Sequence, residues 1–224
     1  MTSIDTGNAV TERARPKAAK VWERDRYNWY VEGEDCTSAL LTVEKFRGLT
    51  LDPACGKGNI VRTMIAHGYD ADGSDIVRRT DANWFVGEID FLADCAFKLG
   101  HCDSIVTNPP FYGGKGTEAF IRKALTIATN KVAVFADLKF LGSDGRAVGL
   151  YAERPPSRVY ILTPRPSCPP GEYLERGGKA GGGTADWVWL VWDLQSPHTG
   201  TTFHWLRRNP SVSASSPIQR ERVQ

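Results

Sequence analysis

Short apolar runs alternate with segments of helical periodicity from about residue 49 to residue 137, and few architectures accept that order. "LTLDPA", "YDADGSDI", "NWFVGEID", "SIVTN" and "KVAVFADL" read as strands, the last of them apolar enough to be buried on both faces. Between them, "GNIVRTMIAHG" sets Ile60, Val61, Met64 and Ile65 at helical spacing and stops at Gly68, and a second helix is expected around "FLADCAFKLG". Thr117 is placed to cap "EAFIRKALTIAT", whose Phe120, Ile121, Ala124, Leu125 and Ala128 share one face. Strand and helix in alternation are the mark of parallel βαβ units, so the expectation is an α/β sheet with helices on both faces. Upstream, "EDCTSALLTVEKF" reads as a helix opened by Asp35 or Thr37, carrying Leu40, Leu41, Val43 and Phe46. Downstream, "RVYILTP" and "DWVWLVWDL" add two strands across a proline- and glycine-rich connection, a hairpin-like pair that can close the sheet.

A chain of 224 residues with 41% hydrophobic and 24% charged residues suits one folded domain, expected over 21–206, with polar tails at 1–20 and 207–224. No run reaches the roughly 20 apolar residues of a membrane helix, and the first residues hold no apolar signal core, so a cytoplasmic protein is expected. Five cysteines without CxxC pairs support neither a disulfide framework nor zinc, and the four histidines show no metal or triad spacing. The net charge of +2 identifies no partner. Its bunched cations, Arg13 to Lys20 and Arg207 to Arg222, suit solvated tails or phosphate contacts alike.

The chemistry concentrates at the ends of the strands. "LDPACGKGN" sets Asp52 at a strand end and follows it with Ala54, Cys55, Gly56 and Gly58, a turn that lets a ligand approach the backbone before a helix N-terminus. Asp75 ends the next strand, where such sheets hold a carboxylate for ribose hydroxyls, and Asp90 follows the third. GxGxxG and GxxxxGK[ST] are both missing, which favours a nucleoside ligand without pyrophosphate. "SIVTN" then runs into Asn108-Pro109-Pro110-Phe111, where two prolines forbid further sheet pairing and impose a rigid extended turn.

In this order, "DPACGKG", "SDI", "EIDFL" and "NPPF" resemble the motifs of the class I S-adenosylmethionine-dependent amino-methyltransferases, over about residues 50 to 112. The resemblance implies a Rossmann-like sheet, mostly parallel with a late antiparallel strand, and S-adenosylmethionine as cofactor. It assigns the cofactor loop to Asp52, Ala54, Cys55, Gly56 and Gly58, the ribose end to Asp75 and Ile76, and the adenine end to Asp90 and Phe91. An extra cofactor contact falls around Tyr30. The catalytic set is Asn108, Pro109, Pro110 and Phe111: the Asn108 oxygen and the Pro109 carbonyl accept the protons of an exocyclic amine while Phe111 stacks on the base. The implied substrate is N6 of adenine in DNA, reached by flipping the base out. RNA as substrate, a protein glutamine side chain and a silent cofactor-binding module stay open as alternatives. Trp187 is a further candidate near the base, and Lys115 and Lys179 sit in glycine-rich stretches suited to mobile loops on nucleic acid. The length left after "FADLKF" leads us to expect no separate recognition domain. Oligomeric state is not legible.

Overall fold

The computed structural model describes residues 27–93, 102–196 and 200–209. The expected N-terminal tail, the expected C-terminal tail beyond residue 209, the expected helix over "FLADCAFKLG" beyond Ala93, and Cys95 lie outside the described residues. One eight-stranded sheet carries the fold, made of β1 (Thr50–Asp52), β2 (Ala71–Asp75), β3 (Phe85–Glu88), β4 (Ser104–Thr107), β5 (Lys131–Asp137), β6 (Arg158–Thr163), β7 (Trp187–Asp193) and β8 (Thr202–Arg207). Their order is β3-β2-β1-β4-β5-β7-β6-β8. β1 to β5 run parallel, β7 is antiparallel to β5 and β6, and β8 returns parallel to β6. This is the expected α/β sheet, mostly parallel with a late antiparallel strand and helices on both faces.

Helices α1 (Glu34–Val43) and α2 (Asn59–Ala66) cover one face, and α3 (Lys115–Ile127) covers the other. β5 shows why both faces need cover. Ala133 and Phe135 join the cluster of Leu40, Ile60 and Met64, whereas Val132, Val134 and Ala136 join that of Ile121, Ala124 and Leu125. Short helices α4 (Asp144–Val148), α5 (Leu150–Glu153) and α6 (Gly171–Glu175) fill the later connections. Trp189 is fully buried, and its indole N–H donates to the Cys36 carbonyl at 3.0 Å, tying β7 to α1.

Several local expectations need correction. α1 starts after Gly33 rather than at Asp35 or Thr37. Thr37 is wholly buried inside the helix, and the Asp35 carboxylate takes an ion pair from Arg208. α3 begins at Lys115 after Gly114, so Thr117 lies within the helix and not at its cap. β8 is a strand that hydrophobic alternation did not reveal, because an edge strand with Phe203 and Trp205 facing outward carries little core pattern. Arg208 is no solvated tail residue, since it also donates to the carbonyls of Pro164 and Arg165.

Candidate active site

In doubly wound sheets ligands bind outside the carboxyl ends of the strands, where the order reverses, which here is between β1 and β4. A cleft of about 230 Å³ opens there. β1 and its turn supply Pro53 and Ala54, β2 Asp75 and Ile76, the end of β3 Ile89, Asp90 and Phe91, and the end of β4 Asn108 and Pro110, while Tyr27 to Tyr30 cross over it. A smaller recess of about 20 Å³ adjoins it, lined by Glu32, Asp52, Cys55, Asn59 and Asn108 among others. The fold thus brings together Tyr30, Asp52, Ala54, Cys55, Asp75, Ile76, Asp90, Phe91, Asn108 and Pro110.

The glycine turn is held from behind. Gly56 donates its N–H to Asp75 Oδ2 at 2.8 Å, so the loop after β1 is pinned to the end of β2. Its φ of +55° suits glycine, and an added Cβ would lie 2.4 Å from the Trp29 indole nitrogen, which rests on the turn. Gly58 precedes α2 directly. Asp75 Oδ1 accepts from Val77 N–H at 3.0 Å and from Arg79 at 2.9 Å. The expected ribose carboxylate therefore has an internal cation partner, and Arg79 lies over the Trp29 ring at 4.6 Å. Asp90 caps a turn by accepting from Leu92 N–H at 3.0 Å.

Lining carboxylates outnumber cations in the cleft and its recess: Glu32, Asp52, Asp75 and Asp90 against Arg79 and Lys57. Both cations are already paired, Arg79 with Asp75 and Lys57 with Glu175 at 2.7 Å. Such a lining holds no unpaired cation for a phosphate. Burial raises the carboxyl of Asp52 well above its usual range, and Asp52 accepts from Ala54 N–H at 3.1 Å. Buried Cys55, Cys36 and Cys168 are pushed upward by the same desolvation and stay thiols at neutral pH.

Asn108 is the most constrained residue of the site. Its Nδ2 donates to the Tyr30 carbonyl at 2.9 Å and to Glu32 Oε2 at 2.7 Å. A backbone carbonyl can only accept, so the amide nitrogen must face it and the oxygen must face the other way. That oxygen, Oδ1, is buried and has no hydrogen-bond partner among the described residues. A buried acceptor without a donor is unfavourable by about 1–3 kcal/mol and calls for an explanation. Glu32 is the site residue that motif reading missed. It is 6% exposed, its backbone carbonyl is held by Asn59 Nδ2 at 2.8 Å, and its only sequence signal is an acid after the aromatic and apolar "WYV".

Pro109 and Phe111 line neither cavity. The Phe111 ring packs half-buried between Tyr30 and Trp187, each 5.5 Å away, and Trp187 stacks on Phe135 at 4.9 Å. Trp187 is accordingly a packing residue behind the motif, 8% exposed. The aromatic that lines the cleft at this loop is Tyr112, 52% exposed. Lys115 and Lys179 line neither cavity. Among the described residues there is no cluster of His, Cys, Asp and Glu able to hold a metal, and no helix long and apolar enough to cross a membrane.

No protein-family model and no curated protein matches the sequence. Among solved structures, the chain is similar to a TehB-like SAM-dependent methyltransferase from Corynebacterium glutamicum, at 15% identity over 72% of this chain and 87% of that one, with a TM-score of 0.45. It is similar also to a putative RNA methyltransferase from Pyrococcus horikoshii (13% identity, 71% and 80% covered, TM-score 0.47). For TrmN from Thermus thermophilus the figures are 18% identity, 70% of this chain, 48% of that one, and a TM-score of 0.43. At these identities the likeness concerns the fold alone. An activity has to be read from the site's own residues.

Proposed function

We propose that this chain is an S-adenosylmethionine-dependent methyltransferase acting on the exocyclic N6 amine of adenine in DNA. One observation carries the reading: a strand-ending asparagine whose amide nitrogen is anchored twice, leaving its buried oxygen without a donor among the described residues. Adenine's amine brings the missing donor. Asn108 Oδ1 accepts one amine proton and the Pro109 carbonyl the other, which draws the nitrogen lone pair out of conjugation with the ring. Two neutral acceptors suffice because alignment provides much of the rate enhancement.

The cleft fits the cofactor through its position at the switch point and its lack of an unpaired cation for phosphate. Tyr30, Ala54, Asp75, Ile76, Asp90 and Phe91 would hold it, with the Gly56 turn at its back. When bound, the cofactor's sulfonium supplies an electrophilic methyl group. Pro110 and Tyr112 border the space left for the base, and Phe111 braces the loop through Tyr30 and Trp187.

With methyl-labelled cofactor, DNA is expected to acquire label in N6-methyladenine. Asn108→Ala is expected to lower kcat by at least about a hundredfold, the usual effect of deleting one well-placed polar group. Label in cytosine or in protein would refute the proposed substrate, and label in RNA but not DNA would move it to RNA. An unchanged rate in the variant would refute the role of the motif.

A further inference from the structure

Resting on the amino-methyltransferase reading, we infer that Glu32 is the positioning residue of the reaction, an anion that orients the Asn108 amide and strengthens its oxygen as an acceptor. The geometry is direct. Glu32 Oε2 lies 2.7 Å from Asn108 Nδ2, and the carboxylate is almost wholly shielded from water. A charged acceptor makes the stronger hydrogen bond, and in a shielded site the effect passes along a chain of bonds. Pull on the N–H shifts amide electrons toward Oδ1, the atom that must hold the amine proton. The amine nitrogen becomes positive as it spends its lone pair, until it releases a proton to solvent. A buried negative charge one hydrogen bond behind its acceptor stabilises that positive charge more than the neutral ground state, which is the requirement for acceleration.

The Tyr30 carbonyl alone would suffice to orient the amide, so a purely structural site has no need of a buried acid. An uncompensated buried carboxylate is unfavourable, and its neighbours offer little relief. Glu34, the first residue of α1, repels it, the Asp52 carboxyl at the end of β1 is itself raised by burial and by Glu32, and Cys36 on α1 and Cys168 beside Asn108 are neutral thiols. Arg62 on α2 is the cation that acts on it, and Arg62 itself pairs with Glu34 at 3.2 Å. Desolvation therefore dominates and pushes the carboxyl up to about 7, placing its charge change at the pH where the enzyme would work.

The first measurement needs neither cofactor nor substrate. The Asn108 side-chain amide resonance, assigned by its loss in Asn108→Ser, is followed by nitrogen-15 NMR from about pH 5 to about pH 9. It is expected to titrate with a midpoint near 7 and to become pH-independent in Glu32→Gln; an amide already insensitive to pH in the unaltered protein would overturn the inference. In turnover assays, kcat is expected to rise with pH through the same midpoint. Glu32→Gln, which keeps an acceptor oxygen but no charge, should lower kcat by about tenfold to a hundredfold, flatten that limb and change the nucleic-acid KM by less than about twofold. A Glu32→Gln enzyme with unaltered kcat and pH profile, beside an inactive Asn108→Ala, would overturn this inference and leave the proposed function standing. Full activity in Asn108→Ala would overturn the proposed function itself.

Discussion

Glu32 has a second measurable consequence, on stability. Its carboxyl titrates near 7 in the folded chain and at the ordinary 4.5 when exposed. Between those values the folded state holds a proton that the unfolded state has released, so stability falls as pH rises from about 4.5 to about 7 and is level above that. The total is on the order of 3 kcal/mol. Asp52, raised by the same burial, adds a slope of the same sign. Glu32→Gln should therefore unfold at higher urea concentration than the unaltered protein at pH 8 and at a similar concentration below pH 4.5. Equal midpoints at pH 8 would contradict the buried anion. A gain in stability together with a loss in kcat is the pattern of a residue kept for function.

At the scale of elements, the segment from β4 to α3 is built to be stiff. Pro109 and Pro110 limit the backbone on one side, and on the other the first turn of α3 presses against it. Gly116 is the point of closest approach, where an added Cβ would lie 2.5 Å from the Pro110 carbonyl oxygen and 2.8 Å from the Tyr112 ring. Gly116→Ala must push the motif aside. It is expected to lower stability by about 1–3 kcal/mol and kcat by at least about tenfold, since displacements of an ångström can slow catalysis a hundredfold. Thermal unfolding and single-turnover rates check the two effects, and an unaltered single-turnover rate would show that the loop does not need this contact.

Across the whole molecule, the candidate site and the main cluster of structural charge sit at opposite ends of the strands. At the strand ends away from the cleft, buried Glu44 receives Lys131 at 2.6 Å, Arg158, and the Tyr160 hydroxyl at 2.8 Å, while Arg158 also reaches Asp193 at 3.0 Å. Burial alone would raise the Glu44 carboxyl, but the bonds from Arg158, Lys131 and Tyr160 outweigh it and hold the group below its usual range. This acid stabilises the fold above its unfolded pKa and loses that contribution as pH falls, the reverse of Glu32. Glu44→Ala leaves two cations sharing Asp193 and is expected to destabilise by about 3–5 kcal/mol. KM and kcat measured below the new melting temperature should be unaltered, and a change in kcat would mean that the two ends of the sheet are coupled.

Much of this was legible along the chain because its causes are local. Alternating periodicity specifies βαβ units, and prolines end β4 wherever the rest of the chain goes, so the parallel sheet and the position of Asn108 follow from "SIVTNPPF" and its predecessors. Asp75 was placed for the same reason, as the end of a strand. β8 was not legible, since an edge strand buries too little to show a pattern. Nor was the partnership of Asn108 with Glu32, which joins residues 76 positions apart through a strap lying across the cleft. Covalent restraint and periodicity act over a few residues and are written in them. A buried charge, an orphaned acceptor and the partner that polarises it exist only once the folded chain has excluded water from around them.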